Sequence, residues 1–238
     1  MKKKTELIVA LDTDSLAKAQ AIVDELSGLV HYFKIGMELF TQSGPSAVEM
    51  VLKAKAKVFL DLKFHDIPNT VANAAISALR LGVAMFNVHI LGGKQMLIRT
   101  VSAVNAQVRK LNIEKPLVLG VTVLTSIDRQ QLNSMGILRS VKNEVVRLTN
   151  LCKQCGLDGV VCSGRELKLL RRLMGDKFVF VVPGVRLSKE GTDDQKRIIT
   201  PREAARLSAD YIVVGRPIIK ADNALKAAEN VLALMRDK

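Results

Sequence analysis

Short apolar segments alternate with amphipathic segments eight times along the chain, and this alternation constrains the fold more than any other feature. The apolar segments are mostly continuous, which is typical of parallel strands buried on both faces. The amphipathic segments carry apolar residues at spacings of three and four, as helices do when one face packs on a sheet. The predicted strands are Leu7–Leu11, Tyr32–Gly36, Val58–Leu62, Met85–Ile90, Leu117–Leu124, Gly159–Cys162, Phe178–Val182 and Tyr211–Val214. The predicted helices are Ser15–Leu29, Pro45–Ala54, Val71–Leu81, Lys94–Lys110, Ser140–Cys155, Arg165–Met174, Pro201–Leu207 and Asn223–Met235.

Eight strand–helix units without a long linker predict one α/β domain over residues 1–238. Eight is the number of units in the closed (β/α)₈ barrel, the TIM barrel. A doubly wound open sheet is the alternative, but it usually has fewer strands and a glycine-rich turn after the first. Here Asp12-Thr13-Asp14 follows the first strand, and neither a GxGxxG motif nor a Walker loop is found there. This absence also argues against dinucleotide binding and ATP hydrolysis.

Charge and cysteine content restrict the partners and the compartment. The net charge of +13 indicates either a polyanion partner or a basic surface. No nucleic-acid-binding motif accompanies the charge, so we expect small phosphorylated anions rather than nucleic acid as ligands. Three cysteines are too few for a disulfide framework, and the pair Cys152 and Cys155 lacks the further ligands of a zinc site. No signal peptide or membrane-length apolar run is present, so we expect a soluble cytoplasmic protein.

The segment 61–70, with the sequence DLKFHDIPNT, follows the apolar run of the third predicted strand. Residues i and i+2 of a strand share a face, so Asp61 and Lys63 are predicted to point the same way, with Asp66 beyond them in the loop. A charged cluster is costly to fold around, which favours a role in chemistry over one in packing. Nearby His65 and His89 are interpreted as hydrogen-bonded supports of this cluster rather than as an acid or metal ligands.

Other predicted strands also end in polar residues, and the carboxyl ends of the strands carry the active sites of (β/α)₈ barrels. These residues are Asp12, Lys34, His89, Thr125, Ser126, Arg186 and Arg216. Gly184 and Gly215 each precede an arginine closely and would let backbone N–H groups approach an anion. They predict a phosphate site after the seventh and eighth strands, the usual position in this fold. The long polar segment 186–197 is interpreted as a lid over that site.

These motifs resemble those of the orotidine 5′-phosphate decarboxylase family over essentially the whole chain. The most specific match is the segment 61–70, which is similar to the family signature DxKxxDIPNT. The supporting matches are VALD at 9–12, FKIG at 33–36, VTVLTS at 121–126, PGVR at 183–186, DDQKR at 193–197 and VGRP at 214–217.

The resemblance implies a homodimeric barrel that converts orotidine 5′-phosphate to UMP and carbon dioxide, the last step of de novo UMP synthesis, without a metal or an organic cofactor. The catalytic residues that it implies are Lys34, Asp61, Lys63 and Asp66, the last reaching into the partner's site. The implied contacts are Asp12 and Lys34 to the ribose, Thr125 and Ser126 to the pyrimidine, and Arg186, Gln195, Gly215 and Arg216 to the phosphate. Ile67, Thr70 and Pro183 complete the implied substrate-binding set.

A magnesium-dependent decarboxylase or lyase of the same superfamily, acting on a keto-sugar phosphate, is the alternative. Such relatives share an Asp-x-Lys-x-x-Asp core but need a further acidic metal ligand near the end of the second strand, where Glu38 stands. The continuation Ile67-Pro68-Asn69-Thr70 and the segment Asp193-Asp194-Gln195 favour the nucleotide enzyme.

Overall fold

The computed structural model describes residues 4–187 and 198–236. Eight parallel strands form a closed barrel in chain order, and β1 pairs with β8 to close it. The strands are β1 (Glu6–Ala10), β2 (Tyr32–Gly36), β3 (Lys57–Phe64), β4 (Met85–His89), β5 (Leu117–Val121), β6 (Gly159–Val161), β7 (Val179–Val182) and β8 (Tyr211–Val214). The predicted (β/α)₈ architecture is therefore confirmed.

Helices follow the strands and surround the barrel. They are α1 (Leu16–Leu26), α2 (Met37–Ser43), α3 (Pro45–Lys53), α4 (Pro68–Arg80), α5 (Gly93–Leu111), α6 (Arg129–Ser134), α7 (Val141–Gln154), α8 (Gly164–Met174), α9 (Pro201–Arg206), α10 (Arg216–Ile219) and α11 (Ala224–Arg236), with a 3₁₀ turn at Ile90–Gly92. The sequence pattern did not predict α2, α6 and α10, which have seven, six and four residues and show little apolar periodicity. In the part of the chain that the structure covers, no helix has the length and apolar character needed to cross a membrane.

The core has two parts because every strand is covered on both sides. The larger part lies between the strands and the helices, and the smaller part fills the inside of the barrel. The inner side chains are mainly aliphatic, with Phe59 and the pair Tyr32 and Tyr211 as the aromatic members. An interior filled in this way is a packed core rather than a channel. This packed interior supports the polar groups at both ends of the barrel.

The third strand is longer than predicted and irregular at its end. The register between β3 and β4 shifts between Leu60 and Phe64, so the strand does not continue its regular alternation there. Lys63, inside the irregularity, has a φ of 52°, a left-handed conformation that is rare for a residue with a side chain. The irregularity therefore lies at the charged segment, as bulges beside active sites often do.

Two carboxylates connect neighbouring strands at the amino end of the barrel, which we call the floor. Asp158, just before β6, accepts a hydrogen bond from the backbone N–H of Val118 at 2.8 Å and pairs with Lys115 at 2.7 Å. Asp210, just before β8, likewise accepts from the N–H of Phe180 at 2.8 Å and pairs with Arg171 at 2.7 Å. Each carboxylate thus satisfies a backbone donor and a cation at once.

Candidate active site at the carboxyl end of the barrel

A cavity of about 370 Å³ opens at the carboxyl end of the strands, which we call the mouth. Its lining includes most of the predicted site residues, namely Asp12, Lys34, Asp61, Lys63, Thr125, Ser126, Pro183, Arg186, Gly215 and Arg216. Its volume lies in the range of ordinary small-molecule sites. Residues from β1, β2 and β3 and residues that follow β5, β7 and β8 meet here because parallel strands bring their carboxyl ends together.

Two lysines and two aspartates form a chain of alternating charge along one wall of the cavity. Lys34 Nζ lies 2.8 Å from Asp12 Oδ1 and 3.4 Å from Asp61 Oδ2. Lys63 Nζ lies 2.8 Å from Asp61 Oδ1, so Asp61 bridges both ammonium groups. The predicted meeting of Asp61 and Lys63 is confirmed, and it occurs with Lys63 in a left-handed backbone conformation.

Lys34 is the most enclosed of these groups, with 8% of its surface exposed. Burial by itself lowers the pKa of its amine. The carboxylates of Asp61 and Asp12 and their hydrogen bonds raise the pKa by more than burial lowers it, so the net pKa lies above the ordinary value. The Lys34 ammonium therefore stays charged at neutral pH. Gly36 leaves room for it, because a Cβ at that position would lie 2.8 Å from Lys34 Nζ.

The loops after β7 and β8 supply the arginine side of the cavity. Gly184 has a φ of 74°, which favours glycine, and leads into Arg186. The backbone of Arg186 is held by its N–H, which donates to the carbonyl of Ile199 at 3.0 Å. Gly215 also lines the cavity, where a Cβ would lie 3.3 Å from Asp12 Oδ2, and Arg216 begins α10 directly after it. The geometry fits the predicted phosphate site. Gln195 and most of the predicted lid at 186–197 lie outside the described residues.

Three predicted site residues do not line the cavity. Asp66, Ile67 and Thr70 are exposed beyond the end of β3. Asp66 Oδ1 accepts a hydrogen bond from the N–H of Ile67 at 2.6 Å, and no ion pair joins Asp66 to Lys63 within the described ranges. A single chain therefore brings together three of the four predicted catalytic residues.

The histidines near the charged wall stack on each other. The ring centroids of His65 and His89 lie 5.3 Å apart with an interplanar angle of 20°. Burial, helped by the charges of His65 and Lys63, lowers the pKa of His89 to about 4, so this ring is neutral at neutral pH. The predicted hydrogen bond is not seen at His89 Nδ1, which is buried and finds no partner among the residues described. Stacking, rather than hydrogen bonding, joins this pair.

The sequence analysis missed two notable residues, one beside the site and one in its lining. Asn87, inside β4, donates to Asp61 and accepts from the backbone of Lys63. Its only signal in the sequence is an amide within an otherwise apolar strand. Cys162 also lines the cavity, whereas Cys152 and Cys155 do not, and all three thiols are free and buried, as predicted for the latter two.

The acidic residues do not gather into a metal site in the described portion of the chain, where no group of three or more His, Cys, Asp or Glu side chains is placed to hold an ion. Glu38, the ligand that the alternative function would need, is exposed on α2 and does not line the cavity. The arrangement at the mouth is suited to placing positive charge beside a bound anion.

Known proteins are similar to this chain in sequence and architecture along nearly its whole length. The family model described as "Orotidine 5'-phosphate decarboxylase / HUMPS family" matches residues 5–231. Proteins named orotidine 5′-phosphate decarboxylase from Moorella thermoacetica and Syntrophotalea carbinolica are 48% and 49% identical, over 98% of this chain and 93% and 95% of their own lengths. The crystal structure of orotidine 5′-phosphate decarboxylase from Lactobacillus acidophilus is 34% identical, covers 98% of this chain and 100% of its own, and has a TM-score of 0.86. The chain belongs to the orotidine 5′-phosphate decarboxylase / HUMPS family.

Proposed function

We propose that this protein decarboxylates orotidine 5′-phosphate to UMP and carbon dioxide, the last step of de novo UMP biosynthesis. The observation that carries the proposal is the Lys63 ammonium, held 2.8 Å from Asp61 inside a cavity that Arg186 and Arg216 also line. A fixed amine on one side and arginines on the other suit a ligand with a reacting base and a remote phosphate. The names of the relatives agree with this reading.

The chemistry explains why an amine is needed at the reacting carbon. Loss of carbon dioxide from C6 of the pyrimidine leaves an electron pair in the ring plane, where no adjacent π system spreads it. The Lys63 ammonium stabilises that charge and then donates a proton to C6, and solvent returns the proton to the amine. Asp61 fixes the ammonium before the reaction begins, which lowers the reorganisation needed in the transition state. The proposal requires no metal or organic cofactor.

The remaining cavity residues have roles in binding the substrate. We assign the ribose to Asp12 and Lys34, and the pyrimidine to Thr125 and Ser126. The phosphate is assigned to Gln195 together with Arg186, Gly215 and Arg216, and a further contact to Pro183. Because the phosphate is remote from C6, its binding energy can support the chemical step rather than affinity alone. The positive net charge assists the approach of this anionic substrate.

We further propose that the protein is a homodimer in which Asp66 acts in the partner's site, with Ile67 and Thr70 beside it. Asp66 is exposed and lies outside its own chain's cavity. Exposed apolar side chains follow the ends of three neighbouring strands, Met37 after β2, Ile67 after β3 and Leu91 after β4, with exposures of 57%, 67% and 44%. An apolar rim of this kind is typical of a surface that another protein covers.

Mixing two inactive variants tests the shared site. Lys63→Ala and Asp66→Ala subunits are each expected to give inactive dimers. In a hybrid dimer, one of the two sites combines an intact Lys63 with the partner subunit's Asp66. Random exchange should therefore restore about a quarter of the wild-type activity. No recovery despite exchange, shown by mass spectrometry of the intact dimers, would place Asp66 within its own chain's site.

The loss of absorbance from orotidine 5′-phosphate on addition of the purified protein tests the activity itself. Turnover should be unchanged by EDTA, because the positive charge at the reacting carbon comes from Lys63. The alternative, a magnesium-dependent enzyme acting on a keto-sugar phosphate, predicts inhibition by EDTA and recovery with added magnesium. The exposed position of Glu38 weighs against that alternative.

We place the reaction in the cytoplasm. The three cysteines are free and buried, as is usual for a protein of a reducing compartment. Fractionation of the cells that make the protein, followed by the decarboxylation assay, tests this assignment.

A further inference from the structure

Asn87 is a polar side chain in an otherwise apolar part of the barrel. It lies in β4, where Phe86 and Val88 on either side of it face the outer core, so alternation points Asn87 into the barrel. Its neighbours below are Met85 of the same strand and Leu119, its register partner on β5. It has no exposed surface and does not line the cavity. A fully buried amide of this kind must have its hydrogen bonds satisfied by protein groups.

Both ends of the Asn87 amide bond to the catalytic segment of β3. Its Oδ1 accepts a hydrogen bond from the backbone N–H of Lys63 at 2.7 Å. Its Nδ2 donates to Asp61 Oδ1, also at 2.7 Å. The partners fix the orientation of the amide, because a backbone N–H requires an acceptor and a carboxylate requires a donor. Few side chains of this size combine the two functions.

These two hydrogen bonds lie where β3 lacks regular pairing with β4. The ladder between β3 and β4 is irregular from Leu60 to Phe64, so Lys63 lacks a regular strand partner there. The φ of 52° at Lys63 is an unfavourable conformation for a residue with a side chain. The Asn87 amide supplies the acceptor that the ladder does not, and so holds the backbone from which the Lys63 amine reaches Asp61.

We propose that Asn87 is a positioning residue for the decarboxylation. It holds the left-handed backbone of Lys63 and the rotation of the Asp61 carboxylate, so that the ammonium is fixed before substrate binds. The inference rests on the proposed function of Lys63 and Asp61, and it adds a residue that touches neither substrate nor solvent. A displacement of the amine by about 1 Å is enough to reduce turnover on the order of a hundredfold.

Replacement of Asn87 by Asp tests the proposal because it preserves the shape and the acceptor but removes the donor. At pH 8 the new carboxylate faces Asp61, and we expect kcat to fall by about 10²-fold with the dissociation constant of UMP changed by less than about threefold. As pH falls, two facing carboxylates share a proton, and the shared proton restores a donor to Asp61. The kcat of Asn87→Asp relative to wild type should therefore rise as pH is lowered from 9 to 6. The same measurement on Asn150→Asp, at an exposed position of α7, is the control and should match wild type.

Other titratable groups around Asn87 do not produce this trend. Lys63 and Asp61 from β3 contact it directly, and Lys34 from β2 joins Asp61 at 3.4 Å. His89, two residues along β4, has its pKa lowered to about 4 by burial and by the charges of His65 and Lys63, so it stays neutral over this pH range. The β5 neighbours are apolar. Any change in ionisation that these groups share with wild type cancels in the ratio of the two kcat profiles.

Three results would overturn the inference. The first is a folded Asn87→Asp protein with the kcat of wild type from pH 6 to pH 9. The second is a parallel loss of kcat, UMP affinity and thermal stability without a pH trend, which would show a structural role alone. If Asn87→Asp does not fold, Asn87→Ser takes its place, since a serine cannot reach both partners. The third is then a kcat for that variant within about threefold of wild type.

Lys63→Ala, assayed in parallel, distinguishes failure of this inference from failure of the proposed function. An active Lys63→Ala contradicts the proposed function, whereas an inactive one beside fully active Asn87 variants contradicts only this inference.

Discussion

The two ends of the barrel use the same kinds of side chain for opposite purposes. At the floor, Asp158 and Asp210 each join one cation to one backbone N–H of the preceding strand, so that both partners of each carboxylate are groups of the protein. At the mouth, Asp61 bridges Lys34 and Lys63, and the ammonium groups face a cavity. Carboxylates at the floor therefore connect strands, and the Asp61 carboxylate at the mouth holds two cations that line the cavity.

The backbone is regular at the floor and irregular at the mouth. The strand starts at the floor keep regular register, for example Tyr32 with Lys57 and Met85 with Leu117. At the mouth, β3 breaks its register with β4 and Lys63 adopts a left-handed conformation. Strain at the mouth is tolerated because the rest of the barrel and Asn87 hold it in place. Changes at the mouth should consequently affect turnover, and changes at the floor should affect stability.

Two lysines of β3 give the largest contrast between the ends. Lys57 begins the strand at the floor and Lys63 lies near its end at the mouth. Lys63→Ala should reduce kcat by about 10⁴-fold or more, because both the charge and the proton at C6 are lost, while UMP still binds. Lys57→Ala should leave kcat within about twofold of wild type. Steady-state kinetics and UMP titration measure both effects, and similar kcat values for the two variants would erase the distinction.

Substitution of Asp210 tests whether the floor carboxylates stabilise the fold. Its carboxylate is 5% exposed and pairs with Arg171, which is 14% exposed, so Asp210→Asn leaves a largely buried guanidinium without its counter-charge. We expect the free energy of unfolding to fall by about 2–4 kcal/mol in urea denaturation. The kcat of the folded protein should stay within about twofold of wild type. Asp176→Asn, at an exposed position after α8, should lose less than about 0.5 kcal/mol. A large loss of kcat without a loss of stability in Asp210→Asn would reverse the roles of the two ends.

His89 should make stability depend on pH to a smaller extent. Its pKa of about 4 in the folded protein is below the ordinary value of 6.5, so between these values the unfolded chain binds a proton that the folded one does not. The free energy of unfolding should therefore decrease as pH falls from about 7 to 4, by about 1–2 kcal/mol after solvent screening of the partly exposed ring. His89→Gln should lose this contribution, and His31→Gln, at an exposed position, should keep it. Equal slopes of unfolding free energy against pH in wild type and His89→Gln would contradict the lowered pKa.

The sequence predicts those parts of the molecule that follow from periodicity. The eight buried strands appear as continuous apolar runs, and Asp12, Lys34, Asp61 and Lys63 stand at or near strand ends, where a barrel brings them together. The left-handed turn at Lys63 could not be predicted, because it depends on the register between β3 and β4. The role of Asn87 depends on the same register.

The ion pairs at the floor and the exposed residues beyond the end of β3 could not be predicted from the sequence, for other reasons. Asp158 and Asp210 look like ordinary loop residues, and only the closure of the barrel places their partners beside them. Asp66 lies exposed outside its own chain's cavity, and no pattern in the sequence predicts that position. Short helices such as α2 and α10 show too little periodicity to be identified.

The kcat of Lys63→Arg with orotidine 5′-phosphate tests the central claim most directly. Arginine retains a positive charge beside Asp61, but its guanidinium does not release a proton at neutral pH. A proton donor at residue 63 predicts a loss of at least about 10³-fold in kcat, with UMP bound within a few-fold of the wild-type affinity. A Lys63→Arg protein with kcat within about tenfold of wild type would contradict the assignment of Lys63 as the proton donor.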